Sequence, residues 1–161
     1  MTVRIRLGGR DDFPPAVEVW RAANTARLGR PVVPHHEARV RSYGEADGAF
    51  LLVAEDDGAL VGMALGMHGR ADDGNGPVVP GLCHVSMVFV SPERCGTGIG
   101  GRLVDALLDE ARAREYEAAQ LWTHADNERS QRLYERHGFR RSGREKPDDV
   151  WDLIVHFERR L

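Results

Sequence analysis

The sequence predicts a mixed α/β (α+β) fold: a mostly antiparallel sheet of about six to seven strands, one parallel pair at its centre, helices on both faces. Three observations carry this expectation. Apolar runs at 50–54 and 60–67 flank Glu55-Asp56-Asp57-Gly58, and Asp-Gly is a strong hairpin signal. Residues 82–123 then read strand, glycine-rich turn, amphipathic helix and strand. Two further strand-like runs close the chain around Lys146-Pro147-Asp148-Asp149.

Val3, Ile5 and Leu7 alternate with Thr2, Arg4 and Arg6, a half-buried strand that Gly8 and Gly9 break. Asp11 or Asp12 caps a helix whose first turn accommodates Pro14 and Pro15 and whose apolar face is Phe13, Ala16, Val17 and Trp20. Asn24 to His36, with Gly29, Pro31 and Pro34, reads as loop, and Glu37 to Tyr43 as a second short helix. Phe50 to Ala54 and Leu60 to Met67 are the hairpin strands; Gly62 and Gly66 weaken the second or mark a bulge. His68 to Gly81, rich in glycine, proline and aspartate, reads as a long loop. Leu82 to Val90 is the central strand. Behind the glycine turn, Leu103, Val104, Leu107, Leu108 and Ala111 recur at helical spacing. Ala118 to Thr123 is the next strand. Asn127 to His137 is a helix with Leu133 and Tyr134 facing inward, ended by Gly138. Phe139 to Ser142 begins a strand, and Val150 to Phe157 is the last. No repeat or linker divides the chain, so one domain over 1–161 is expected.

The composition, 42% apolar and 29% charged, is that of a globular protein with a real core. No apolar run is long enough to span a membrane and no signal peptide opens the chain, so a cytoplasmic protein is expected. A net charge of −3 argues against nucleic acid as the main partner. Cys83 and Cys95 form neither a disulfide framework nor a CxxC pair, and free thiols are expected. Cys95, at the edge of the glycine turn, is either reactive or an inert turn residue. The histidines show no metal-ligand spacing on one element, so no metal is expected.

Gly96, Gly98, Gly100 and Gly101 leave backbone N–H groups uncovered, and the following helix adds unpaired donors and partial positive charge. Together they suit a phosphate or pyrophosphate. The string Gly96-x-Gly98-x-x-Gly101 matches the dinucleotide fingerprint, but the next strand ends Leu121-Trp122-Thr123-His124 without the acidic residue that holds a ribose. No Gly-Lys-Ser/Thr follows, which excludes a P-loop.

The stretch from Val88 to Leu103, VFVSPERCGTGIGGRL, resembles the coenzyme A signature of the GNAT superfamily of N-acetyltransferases. The stretch from Leu121 to Phe139 is similar to that family's second acetyl-CoA segment, in which an Asn opens a helix and Leu-Tyr-Glu precedes Gly-Phe. Both motifs occur in the expected order, and the resemblance covers nearly the whole chain. One position departs: Cys95 stands where the family has Gln or Arg, with Arg94 one place early. Arg94 or Arg102 is the expected substitute.

The resemblance implies a GNAT-like fold, acetyl-CoA as cosubstrate, and transfer of its acetyl group to a primary amine by direct attack in a ternary complex. Backbone groups of Val88, Phe89 and Val90 would line the pantetheine arm, with the Val88 N–H near the acetyl oxygen. Amides of Cys95, Gly96, Thr97, Gly98, Ile99, Gly100 and Gly101 would hold the pyrophosphate, and Asn127 would bond the pantetheine or cap its own helix. Tyr134 is the candidate general acid for the leaving thiolate. His84 is the candidate base: it lies four residues before Val88, hence on the same strand face, and titrates near neutral pH. Water relayed by Ser86, or a carboxylate such as Glu55, is the competing base.

The acceptor would be a small-molecule or protein amine, met by residues 24–43, 69–81 and 144–149. There Asp72, Asp73, Asp148 and Asp149 either attract a cationic amine or form a solvated acidic loop, and His35 and His36 stand nearby in sequence. The chain would act as a monomer or homodimer. The alternative is a non-catalytic acyl-CoA-binding module.

Overall fold

The computed structural model describes residues 2–161. Seven strands form one sheet in the order β1-β2-β3-β4-β5-β7-β6. They are β1 (Arg4–Leu7), β2 (Phe50–Asp56), β3 (Ala59–Arg70), β4 (Val78–Val90), β5 (Ala118–His124), β6 (Arg140–Pro147) and β7 (Leu153–Arg160). Only β4 and β5 pair in parallel; all other neighbours are antiparallel. The helices are α1 (Phe13–Leu28), α2 (Pro34–Tyr43), α3 (Ile99–Ala113) and α4 (Glu128–Arg136). None among the described residues is long and apolar enough to cross a membrane.

Two apolar layers sandwich the sheet. On one face, Ala16, Val17 and Trp20 of α1 and Val40 of α2 pack on Leu51, Val53, Met63, Leu65 and Met87. On the other, Leu103, Val104, Leu107 and Leu108 of α3 and Tyr134 of α4 pack on Leu52, Ala54, Cys83, Val85, Leu121, Val155 and Phe157. The five-residue apolar spacing read in α3 is therefore its buried stripe. Gly62 on β3 sits under α3: an added Cβ would stand 2.9 Å from Leu103 and 3.2 Å from Ala54. Gly62→Ala should cost about 1–3 kcal/mol by overpacking, read as a lowered urea midpoint with unchanged slope.

The closing hairpin differs from the sequence reading at its turn: β6 runs on through Lys146 and Pro147, and β7 begins at Leu153, not Val150. Three further segments differ. First, α1 continues to Leu28, where the left-handed Gly29 (φ 70°) stops it. Asn24 lies inside the helix and donates its side-chain amide to the Trp20 carbonyl. Second, α2 begins at Pro34, which opens the helix instead of marking a loop, because its fixed φ and missing N–H cost nothing at a helix start. The loop expected over 24–36 shrinks to 29–33. Third, most of the loop expected over 68–81 is strand: His68 pairs with Cys83 and Arg70 with Val78, leaving a tip at 71–77. Gly69 is not a loop signal there; a Cβ on it would stand 2.5 Å from Leu82.

The β3–β4 register shifts once where it matters for function. Leu65 pairs with Met87 and Gly66 with Val85, so Ser86 is an extra residue, a β-bulge. Alternation along β4 flips across it. Cys83 and Val85 face α3, and so do Val88 and Val90, while Met87 and Phe89 face α1.

Candidate active site

β4 and β5 pair only from Leu82, Cys83 and His84 to Ala118, Ala119 and Gln120. Beyond them, residues 85–90 and 121–124 have no pairing with each other, so the sheet opens there as a wedge. The glycine turn closes the wide end. Gly96 (φ 79°) and Gly98 (φ 85°) are left-handed, which glycine adopts freely. Gly98 is the N-cap of α3 and has no side chain to cap it. None of the amides of 96–101 donates a hydrogen bond within the chain among the described residues. Six neighbouring free donors stand together at the positive end of a 15-residue helix, an arrangement suited to an anionic group. Gly100 and Gly101 have another reason: Cβ atoms there would meet Leu133 at 3.4 Å and His137 at 3.0 Å, so they let α4 approach.

Neither arginine expected to replace the side chain lost at Cys95 is idle. Arg94 is ion-paired at 2.5 Å with the buried Asp56, and Arg102 donates to the Val3 carbonyl. The residue that reaches the turn is Arg129, from the first turn of α4: a Cβ on Gly96 would stand 2.9 Å from its Nη2. Nothing in the local sequence marks it. Cys95 is exposed and Cys83 buried, both free thiols; burial pushes the Cys83 thiol up to about 12. The Ile99 side chain is core, and the Phe89 side chain packs in the α1 layer, away from the wedge.

Asn127 caps α4, its Oδ1 accepting from the Ser130 N–H at 3.2 Å. Tyr134 is buried on the α3 side of the wedge, edge-on to Phe139 at 5.8 Å between ring centres. Burial raises its phenol well above the ordinary value, so the hydroxyl keeps its proton through neutral pH.

His84 does not share a face with Val88, because the Ser86 bulge intervenes. It lies on the opposite face, where its neighbour across the parallel register is Gln120. Its ring is half-buried, and Nδ1 is buried with no hydrogen-bond partner among the described residues. Burial first, then His156 and Lys146, pushes its pKa down to about 4. Beside it runs a hydrogen-bonded chain that the sequence did not suggest. Gln120 Oε1 can only accept, so His156 Nε2–H donates to it at 2.9 Å, and Ser142 Oγ–H donates to His156 Nδ1 at 2.7 Å. Trp122 packs on His156 at 4.9 Å. Glu55, the alternative base, is ion-paired with Arg6 at the β1–β2 edge.

The acidic loops are largely neutralised from within. Asp73 pairs with Arg144 and Lys146, and Asp149 with Arg39 of α2. Asp148 accepts from His124 and from the Val150 and Asp152 amides, bonds that hold its carboxyl below the usual range against the cost of burial. Donor atoms of His35, His36 and Asp149, and of His124, Asp148 and Asp152, approach within 4.8 Å, but Asp149 already pairs with Arg39 and Asp148 with His124.

Residues 16–139 match the Acetyltransferase (GNAT) family. The chain belongs to this family. Among curated relatives, the mycothiol acetyltransferase of Geodermatophilus obscurus is 33% identical over 76% of this chain and 36% of its own length. That of Thermobispora bispora is 36% identical over 59% of this chain and 31% of its own. The chain thus spans about a third of the length of these relatives. Among solved structures, the ribosomal-protein-S18-alanine N-acetyltransferase of Escherichia coli superposes with a TM-score of 0.77 at 18% identity, covering 99% of this chain and 94% of its own. The PaiA N-acetyltransferase of Thermoplasma acidophilum, solved with coenzyme A, gives 0.71 at 17% identity over the whole of both chains. These structures share the GNAT fold, with its open mixed sheet, and membership supports acetyl transfer as the activity.

Proposed function

We propose that the chain is a single-domain, cytoplasmic N-acetyltransferase that moves the acetyl group of acetyl-CoA to a primary amine, with no metal. The observation that carries this reading is the run of free amides at 96–101, set at the mouth of the β4–β5 wedge with Tyr134 beside it. Bound acetyl-CoA supplies an activated acyl thioester. The amides hold its diphosphate, and Arg129 adds the side-chain contact that Cys95 cannot. The wedge between the unpaired parts of β4 and β5 takes the pantetheine, whose polar groups meet the free backbone of Val88 and Val90. The Val88 N–H stabilises the oxyanion and the Tyr134 hydroxyl protonates the departing sulfur.

The amine enters from the α1–α2 face, where His84 offers an unpartnered Nδ1. Because His84 is neutral at pH 7, it accepts a hydrogen bond from a neutral amine and takes the proton as the new C–N bond forms. This role predicts a pH dependence. Turnover falls as pH drops through the His84 pKa of about 4, well below an ordinary histidine. His84→Ala should abolish that limb of the kcat profile; if the limb persists, another group is the base.

Both acceptor classes have support: relatives named for mycothiol favour a small molecule, and a fold neighbour named for a ribosomal alanine favours a protein amine. The test is a screen of amines with acetyl-CoA, reading released thiol, with coenzyme A titrated by calorimetry. Amine-stimulated thiol release supports the enzyme. Coenzyme A binding without release would leave the acyl-CoA-binding module.

A further inference from the structure

On the sheet face opposite α3, the layer under α1 and α2 includes no residue of β5, β6 or β7. That half of the face holds Gln120, Trp122 and His156 from alternate positions of β5 and β7, with Lys146 of β6 paired to Ile154 on the same side. Lys146 Nζ lies 4.5 Å from the Trp122 ring centre and the Arg144 guanidinium 5.3 Å. Both cations turn to one carboxylate, Asp73, at the β3–β4 tip: Arg144 bonds its Oδ1, and Lys146 Nζ lies 3.7 Å from its Oδ2. Glu145 turns instead to Arg141, at 3.8 Å. Two fixed cations over the Trp122 ring share the single carboxylate of Asp73, while the other acid of this face, Glu158, stands opposite Gln120 at the far end of the floor, so the positive charge is concentrated above Trp122. The floor runs through His156 and Gln120 to His84, where the amine is received.

Resting on the N-acetyltransferase reading, we propose that the acceptor carries a carboxylate beside its amine, and that this carboxylate displaces Asp73 from Arg144 and Lys146 above Trp122. Asp73 is suited to release. It is partly exposed, sits at a hairpin tip, and has a left-handed backbone (φ 53°) that a non-glycine residue adopts at a cost. An acid pairing with Arg144 and Lys146 is therefore an internal stand-in for the substrate anion. The acidic tip does not recruit cationic amines; it screens a site for an anionic group.

The test compares N-acetylphenylalanine with N-acetylphenylalaninamide, two products that differ only in the carboxylate, titrated calorimetrically into the full chain saturated with coenzyme A. Two charge-assisted contacts in a partly solvated site should favour the acid by about tenfold. Asp73→Asn should tighten the acid several-fold and not the amide. The Arg144→Gln, Lys146→Met double variant should erase the acid's advantage. The proposal is overturned if the amide binds as well as the acid, if neither binds, or if the advantage survives the double variant. Coenzyme A affinity of the same protein, and amine-stimulated thiol release in separate assays with acetyl-CoA, fail only if the transferase reading itself fails.

Discussion

Gly98→Glu abolishes coenzyme A binding while the chain stays folded; affinity drops by more than about 100-fold, roughly 3 kcal/mol. Nothing lies within 4 Å of a Cβ added at Gly98, so the new side chain starts into open space without a clash. The fold bears only the left-handed backbone, φ 85°, which costs a non-glycine residue about 1–2 kcal/mol, a fall of about 2–8 °C in melting temperature for a chain of this size. The ligand bears far more. The carboxylate stands among the amides of 96–101, satisfies some of them, and repels a diphosphate, at about 1–4 kcal/mol per charge pair near 4 Å. Gly98→Ala separates the effects, since it carries the backbone strain without the charge. Calorimetric titration of coenzyme A decides, and retained affinity in the glutamate variant would remove the turn as the anchor.

Tyr134→Phe lowers turnover by about 100-fold, the lower end of what a positioned general acid contributes, and moves coenzyme A affinity far less. The ring keeps its place, because phenylalanine preserves the edge-on contact with Phe139 and the packing near Phe157. Only the hydroxyl is lost. Since burial raises the phenol's pKa, the group is protonated across the neutral range and serves as a donor there, not as a base. Single-turnover kinetics with saturating acetyl-CoA isolate the chemical step. Turnover equal to that of the unchanged protein would refute the acid role.

Much of the fold was legible locally. The stripe Leu103, Val104, Leu107, Leu108, Ala111 is the buried face of α3, and the strands around Asp57-Gly58 are a hairpin. Where local reading failed, it failed at residues that signal loops only on average. Pro34 begins a helix, Asn24 lies within one, and Gly69 allows a strand to pack against Leu82. In each case the place in the element, a helix start for Pro34, a helix interior for Asn24 and a strand against Leu82 for Gly69, set what the residue does.

The candidate site divides in the same way. Sequence by itself determined where the glycine turn with its free amides lies, the proposed diphosphate cradle, and which residues open and close α4, because turns, caps and helix starts depend on neighbours a few residues away. Tertiary structure alone decided which face His84 presents, since one extra residue, Ser86, reverses the alternation of β4 and is visible only against its partner strand. It also decided the charge of the proposed acceptor side. Asp73 meets Arg144 and Lys146, and Asp149 meets Arg39, across more than seventy residues of chain. Electrostatic pairing depends on distance in space, and no spacing along a sequence reports that distance until the sheet has brought its strands together.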